Sequence, residues 1–202
     1  MRCRRIYAGT RRRFGPGRNA HIVHYPLSGW KVFNLVVTYH NDAPELVAGK
    51  PVSEDEVMQG FGHVHERARA VIRHGKNWKL WVLCDRDPAE RWIDGRVALL
   101  GDAAHPMLQY FAQGACQAME DAVCLSHMLS QHDDHATALE NYRAQRFPRT
   151  ARVQLLSRAI GEHIYHPAGE HARLRNAIMS AKTSEDYFRD LAWLYGGTGL
   201  TG

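Results

Sequence analysis

Between Arg96 and Asp121 the sequence reads Arg-Val-Ala-Leu-Leu-Gly-Asp-Ala-Ala-His-Pro-Met-Leu-Gln-Tyr-Phe-Ala-Gln-Gly-Ala-Cys-Gln-Ala-Met-Glu-Asp. An apolar stretch ends on one carboxylate, Asp102, and a loop of small residues then leads into a helical pattern. A carboxylate in that place can accept hydrogen bonds from a sugar or ribityl hydroxyl. A helix starting near Gln113-Gly114 would turn its first unpaired N–H groups and its positive dipole end back on the loop, where they suit a carbonyl or partial anion. A flavin nucleotide presents both kinds of group. A second arrangement lies at His21-Ile-Val-His24-Tyr25-Pro26-Leu27. In an extended strand His21, Val23 and Tyr25 share one face, because side chains alternate with period 2, so that face offers an imidazole and a phenol together.

The elements that must position these groups follow from local pattern. Strands are expected at about Ala20 to Pro26 and Lys31 to His40, and the apolar run Val97 to Leu100 reads as a short, fully buried strand. Ser53-Glu-Asp-Glu56 is a capping box, and Val57, Phe61, Val64, Ala68, Val71 and Ile72 recur at helical spacing, so one helix is expected up to Gly75. Lys79 to Cys84 reads as a strand, followed by a turn at Asp85-Arg-Asp-Pro88. Helices are expected from Gly114 to Leu129, from Ala136 onward with an interruption at Pro148, and from Ser184 to Tyr195, closed by Gly196-Gly197.

With 202 residues and 45% hydrophobic content the chain can bury a sizeable core, one domain or one and a fraction. Seven arginines and no acids fall in the first eighteen residues; the formal net charge of +5 thus leaves −2 for the remainder. The basic character belongs to the head alone. Such a cluster could meet nucleic acid, an anionic membrane or a transit-peptide receptor, but short basic runs match those patterns easily, so neither a nucleic-acid nor a membrane partner is expected. No apolar run reaches the ~20 residues of a membrane span. Cys3, Cys84, Cys116 and Cys124 contain no Cys-x-x-Cys pair, and small buried thiols in a reducing cytoplasm are expected. His132-Asp-Asp-His135 and His163-Ile-Tyr-His166 lack a metal-site framework and read as surface histidines, with no metal expected.

Gly101 to His105, with Glu120-Asp121-Ala122 closing the helix that follows, resembles the second flavin motif of the single-component, FAD-dependent aromatic-ring hydroxylases. The usual loop there is Pro-x-x-Gly-Gln-Gly, whereas this chain has Gln109-Tyr110-Phe111-Ala112-Gln113-Gly114. Together, Pro106-x-Leu108-Gln109-Tyr110 and the His-x-x-His-Tyr-Pro-Leu segment at 21–27 resemble the 3-hydroxybenzoate 6-hydroxylase branch of that family. Asp85-Arg-Asp-Pro88 ahead of Gly95-Arg-Val is a further similarity. The likeness runs from about Phe14 to the final Leu-Tyr-Gly-Gly-Thr-Gly-Leu.

The resemblance implies an α/β (α+β) fold: the C-terminal part of a Rossmann-like FAD-binding domain, a mixed β-sheet substrate-binding layer and a helical tail. Family members carry a strand, a Gly-x-Gly-x-x-Gly turn and a helix ahead of everything seen here. The one formal match, Gly15-Pro-Gly17-Arg-Asn-Ala20, follows arginines and precedes a strand, so it is rejected. The chain is therefore expected to be the C-terminal half of an enzyme. Residues 1–19 would form an atypical, disordered head, residues 20–92 part of the substrate-binding sheet domain, and residues 93–202 the C-terminal part of the FAD-binding domain with its tail.

The implied activity is hydroxylation of 3-hydroxybenzoate to 2,5-dihydroxybenzoate in the cytoplasm, with FAD as cofactor, NADH as co-substrate and O₂. A salicylate-hydroxylase-like enzyme and an inactive FAD-binding remnant are the alternatives. By the same resemblance His21 activates the substrate phenol, Tyr25 orients the ring and Gln109 contacts substrate. The cofactor-binding set is Gly101, Asp102, Pro106, Ala112, Gln113, Gly114, Ala115 and Cys116, with His105 shaping the loop and Glu120 and Asp121 structural. The helical tail from Ala136 could form a homodimer, although a helix packed on its own domain would read the same.

Overall fold

A computed structural model describes residues 20–39 and 45–200; the arginine-rich head and residues 40–44 lie outside the described residues. Two compact units emerge. One comprises residues 20–39, 45–83 and 162–173, and the other residues 84–161 and 174–200. The architecture is mixed α/β with small antiparallel sheets and extensive helix.

In the first unit β1 (Ala20–Leu27) and β2 (Val32–Tyr39) form a hairpin that pairs His21 with Thr38, Val23 with Val36 and Tyr25 with Asn34. Alternation sends Ala20, Ile22, Val37 and Tyr39 into a core with Val57, Phe61 and Ile72. His21, Val23 and Tyr25 take the opposite face. Strand β3 (Ala48–Pro51) pairs with β4 (Lys79–Trp81). The capping box forms as expected: Ser53 Oγ accepts from the Glu56 N–H, and Glu56 accepts from the Ser53 N–H.

The single helix expected from Ser53 to Gly75 is two, α1 (Glu54–Gly60) and α2 (Glu66–Ile72). The first helix ends at Gly60, where a Cβ would stand 2.7 Å from the Tyr39 ring, and Phe61 leaves helical geometry as its C-cap. Phe61 is then fully buried, and His65 restarts the helix by accepting the Arg67 N–H through Nδ1 at 3.1 Å.

In the second unit β5 (Ile93–Asp94) and β6 (Val97–Ala98) form a two-residue ladder. The fully buried strand expected over Val97 to Leu100 is thus short and half covered. Val97 is 65% exposed, because β5 is its only described neighbour, while Ala98 and Leu99 pack toward Trp92. Helix α3 spans Gly114–Gln131, α4 spans His135–Ile160, α5 Gly169–Ala181 and α6 Ser184–Tyr195. Trp92, Ala104, Cys124, Tyr142 and Leu200 form the core of this unit.

Pro148 does not interrupt α4, contrary to expectation. Proline removes one backbone donor and leaves the Ala144 carbonyl without its helical partner, yet the helix continues, and Thr150 Oγ1 donates to the carbonyls of Arg146 at 3.1 Å and Phe147 at 3.2 Å in the next turn. Arg146, one turn earlier, is anchored outside the helix. Two other expectations change with burial: Cys84 and Cys116 are exposed, so that among the described residues Cys124 is the buried thiol, while Cys3 lies outside them, and His166 is 6% exposed rather than on the surface. Among the described residues no helix is long and apolar enough to cross a membrane, and no group of three ligating side chains could hold a metal.

Arg146, fully buried, joins α4 to α3. Its Nε donates to Asp121 Oδ1 at 2.7 Å, one terminal nitrogen to Glu120 at 2.7 Å, and the other to the Gln117 side-chain oxygen at 2.7 Å. Asp121 Oδ2 accepts from His105 Nε2–H at 2.6 Å and from the Gly101 N–H at 2.9 Å. Arg149 binds both Glu120 oxygens and the carbonyls of Trp193 and Leu194, tying in α6. Burial alone would raise the Asp121 carboxyl. Hydrogen bonds from His105, Arg146 and Gly101 outweigh it and hold the group below its ordinary range.

Removing one partner of a buried ion pair strands the other. Arg146→Met should therefore cost about 3–5 kcal/mol in urea-unfolding free energy, whereas the less enclosed Arg149→Met should cost less. A carboxyl with a depressed folded value contributes stability that is complete above the unfolded carboxylate value near 4 and is lost as pH falls through the lower folded value. Melting curves between about pH 5 and pH 2 should accordingly show an acid-dependent loss that is reduced in Asp121→Asn.

Candidate functional site

The clamp shapes the loop. Gly101 has φ +58°, a conformation natural to glycine, and a Cβ there would stand 3.2 Å from that of Ala118. With its N–H held by Asp121, its carbonyl accepts from the N–H groups of Ala104 and His105, both at 2.9 Å, closing a tight helical turn. Asp102 occupies the exposed side of that turn. A Cβ on Gly114 would lie 3.8 Å from Asp102 Oδ1, so the carboxylate stands beside the start of α3 with no side chain between. Arg86 donates to the carbonyls of Ala103 and Ala104, fixing the loop from the other side.

The following residues are held equally firmly. Gln154, 1% exposed, donates to the Pro106 carbonyl at 3.0 Å. Leu108 and Tyr110 are buried, and Tyr110 packs so closely on Gly161 that a Cβ there would be 2.4 Å from its ring. Gln109 is exposed, and its carbonyl accepts from Ala112, which takes the left-handed conformation at φ +52° and turns the chain into α3. Gln113, the N-cap, makes no side-chain cap. Its amide is engaged instead with Gln117 at 3.0 Å and the Tyr195 hydroxyl at 3.2 Å.

The result is an 18-residue helix whose first N–H groups, at Gly114, Ala115 and Cys116, have neither intrahelical acceptors nor a side-chain cap. Ala112, Ala115 and Cys116 are exposed, so these donors lie beneath small side chains. An exposed carboxylate thus stands beside a positive helix end. The pair fits a flavin: hydroxyls of its chain suit Asp102, and the carbonyl-bearing edge of its ring suits the helix N–H groups. Gly101 and Asp102 come together with the start of α3 at Gly114, while Pro106 and Ala112 lie on the connecting loop, Pro106 held by Gln154. Gln113 is the exception in kind, because its side chain is 4% exposed and serves packing.

His21 and Tyr25 share a face of β1 in the other unit, with Tyr25 46% exposed. His21 Nδ1 lies 2.8 Å from His166 Nε2, and its ring centroid is 4.6 Å from that of Tyr165. Sequence reasoning missed His166, the Arg146–Arg149 clamp and the roles of Arg86 and Gln154. A signal existed for the clamp: two arginines at i, i+3 on one helix, with the adjacent Glu120-Asp121 on another, can form a two-pronged ion pair. His166 carries no comparable local mark.

A family model described as an FAD binding domain matches residues 25–157. The 3-hydroxybenzoate 6-hydroxylase 1 of Aquipseudomonas alcaligenes is 53% identical over 180 residues, covering 89% of this chain and 46% of that protein. The 3-hydroxybenzoate 6-hydroxylase of Klebsiella oxytoca is 44% identical over 181 residues, covering 89% and 45%. Among solved structures, a salicylate hydroxylase substrate complex superposes with a TM-score of 0.66 at 28% identity, covering 90% of this chain and 46% of that one. Klebsiella pneumoniae HpxO complexed with FAD and uric acid gives 0.70 at 25% identity, covering 87% and 45%. The chain spans about half the length of the curated relatives it matches. With well over half of its own length matched by the family model, the chain belongs to the FAD binding domain family.

Proposed function

We propose that this chain forms the flavin-ring half and the substrate-binding layer of an aromatic hydroxylase that converts 3-hydroxybenzoate to 2,5-dihydroxybenzoate in the cytoplasm, with NADH and O₂. The observation that carries this reading is the constellation of Asp102 and the uncapped α3 N-terminus. Relatives named 3-hydroxybenzoate 6-hydroxylase, 42–53% identical over nine tenths of the chain, support the choice of substrate. When bound, FAD supplies the oxygen-transfer chemistry, with NADH the electron source and O₂ the oxygen source.

The residues of the chain bind and orient. Asp102 accepts from a hydroxyl of the cofactor. The N–H groups of Gly114, Ala115 and Cys116 take the edge of the ring where negative charge gathers on reduction. The Gly101 turn and the Pro106 loop hold both in register. On β1, His21 takes the proton of the substrate phenol, since a phenolate ring carbon is more nucleophilic and an imidazole is the general base suited to neutral pH. Tyr25 orients the ring through its hydroxyl, and Gln109 supplies a further substrate contact from the flavin loop.

A second reading, a salicylate hydroxylase, is favoured by one structural likeness at 28% identity. Products decide between them. In a chain completed with the N-terminal half of the Aquipseudomonas relative, 3-hydroxybenzoate should yield 2,5-dihydroxybenzoate. Catechol from salicylate, with loss of CO₂, would favour the other reading, and FAD binding without turnover of either acid would mark an inactive remnant. In that chain His21→Ala should depress hydroxylation far more than flavin affinity; equal loss of both would contradict the assigned role. Asp102→Ala should do the reverse, weakening FAD binding by about 10- to 100-fold for one lost charge-assisted hydrogen bond.

A further inference from the structure

The pairing of β1 with β2 puts three rungs on the face of the hairpin that turns away from the core: His21 opposite Thr38, Val23 opposite Val36, and Tyr25 opposite Asn34. That face therefore runs polar, apolar, polar along the strands. Tyr165 and His166 pack beside the His21 ring, with centroids 4.6 and 5.0 Å away, and wall one end. At the other end Asn34 is half-buried, and neither its amide nor the Tyr25 hydroxyl has a hydrogen-bond partner among the described residues. Both groups can donate, and neither strand carries an acidic residue that would repel an anion.

Spacing sets what such a face can hold. Rungs on one face are two residues apart, so the outer two are about 13 Å apart. A hydrogen bond of about 3 Å at each end leaves roughly 7 Å, room for one aromatic ring over the valines with a polar group on either side. We propose that Asn34 is a specificity-determining residue: together with Tyr25 it receives the carboxylate of an aromatic acid whose ring lies on Val23 and Val36 and whose phenol faces His21. This rests on the reading of the hairpin as the substrate-binding layer of a phenolic-acid hydroxylase, and it separates the two substrates considered there. In 3-hydroxybenzoate the two groups are set apart across the ring and reach both polar rungs. In salicylate they sit on adjacent carbons and hydrogen-bond each other, so one polar rung stays unmatched. The carboxylate accepts from the Asn34 N–H and the Tyr25 O–H, and the ring replaces water over the valines.

The test is side-chain NMR of the 202-residue chain at neutral pH without FAD, following the Asn34 amide and the Val23 and Val36 methyl groups. 3-Hydroxybenzoate should shift all three saturably and bind about 10-fold tighter than salicylate, or than 3-methylphenol, which lacks the carboxylate. Asn34→Leu has a similar branched shape and no donor; it should weaken 3-hydroxybenzoate by about 10-fold and leave 3-methylphenol within about 2-fold. Asn34→Asp should weaken 3-hydroxybenzoate further and tighten 3-(aminomethyl)phenol, whose ammonium takes the place of the carboxylate. A merely structural loss would weaken every ligand alike. Salicylate bound as tightly as 3-hydroxybenzoate, no saturable shift at Asn34, or an Asn34→Leu chain in which 3-hydroxybenzoate is unaffected or weakened no more than 3-methylphenol would overturn the proposal. Because binding is read without FAD, NADH or turnover, failure of the hydroxylase reading would show separately, as a completed chain that keeps these preferences and yields no hydroxylated product.

Discussion

Asp121 is a carboxylate withdrawn entirely from water, and the C-terminal unit is arranged around the need to satisfy it. An isolated buried carboxylate would cost several kcal/mol in this environment. Here both oxygens are occupied, one by Arg146 and the other by His105 and the Gly101 N–H. That requirement ties the end of β6, the loop and two helices to one point. It also explains why Arg146 is among the largest fully buried side chains: its donors meet Asp121, Glu120 and Gln117, acceptors aligned on successive turns of α3.

The site is a consequence of that point of attachment. Because Asp121 pins the Gly101 N–H, the next residue must turn outward, and Asp102 becomes the exposed carboxylate beside α3. Because Gln113 is held by Gln117 and Tyr195, it does not fold back to cap α3, and the first N–H groups stay open. Stability and binding are thus separated by one residue in two places. Asp121 is internal where Asp102 is external, and the Gln113 side chain is internal where the Gly114 to Cys116 backbone is external. A ligand meets a surface fixed from behind, the arrangement that preorganised binding requires.

The legible parts of the sequence were those whose causes are local. The Gly101-Asp102 turn, the start of α3 at Gln113-Gly114, the Ser53 capping box, the bounds of α6 and the shared face of His21, Val23 and Tyr25 all depend on residues within one turn or a few strand positions. The rest depends on contacts distant in sequence. The buried stripe of α4 contains Arg146, Thr150, Gln154 and Ser157, so it gives little apolar periodicity, and Pro148 marks a break that side-chain anchoring prevents. Tyr39 of β2 packs on Gly60 at the end of α1, a contact between residues 21 positions apart. His166 meets His21 across 145 positions, and burial of a histidine cannot be inferred from spacing alone. The Gly101-Asp102 turn and the start of α3 lie beside one another, and what holds them in place was the part that the sequence concealed.

If the open N-terminus of α3, beside Asp102, receives the flavin as proposed, backbone-amide NMR of the 202-residue chain titrated with FAD should show saturable shifts concentrated at the amides of Gly114, Ala115 and Cys116 and at Asp102, following one binding curve. Saturable FAD binding with those amides unmoved, or an ordered chain that shows no saturable shift with FAD, would contradict it.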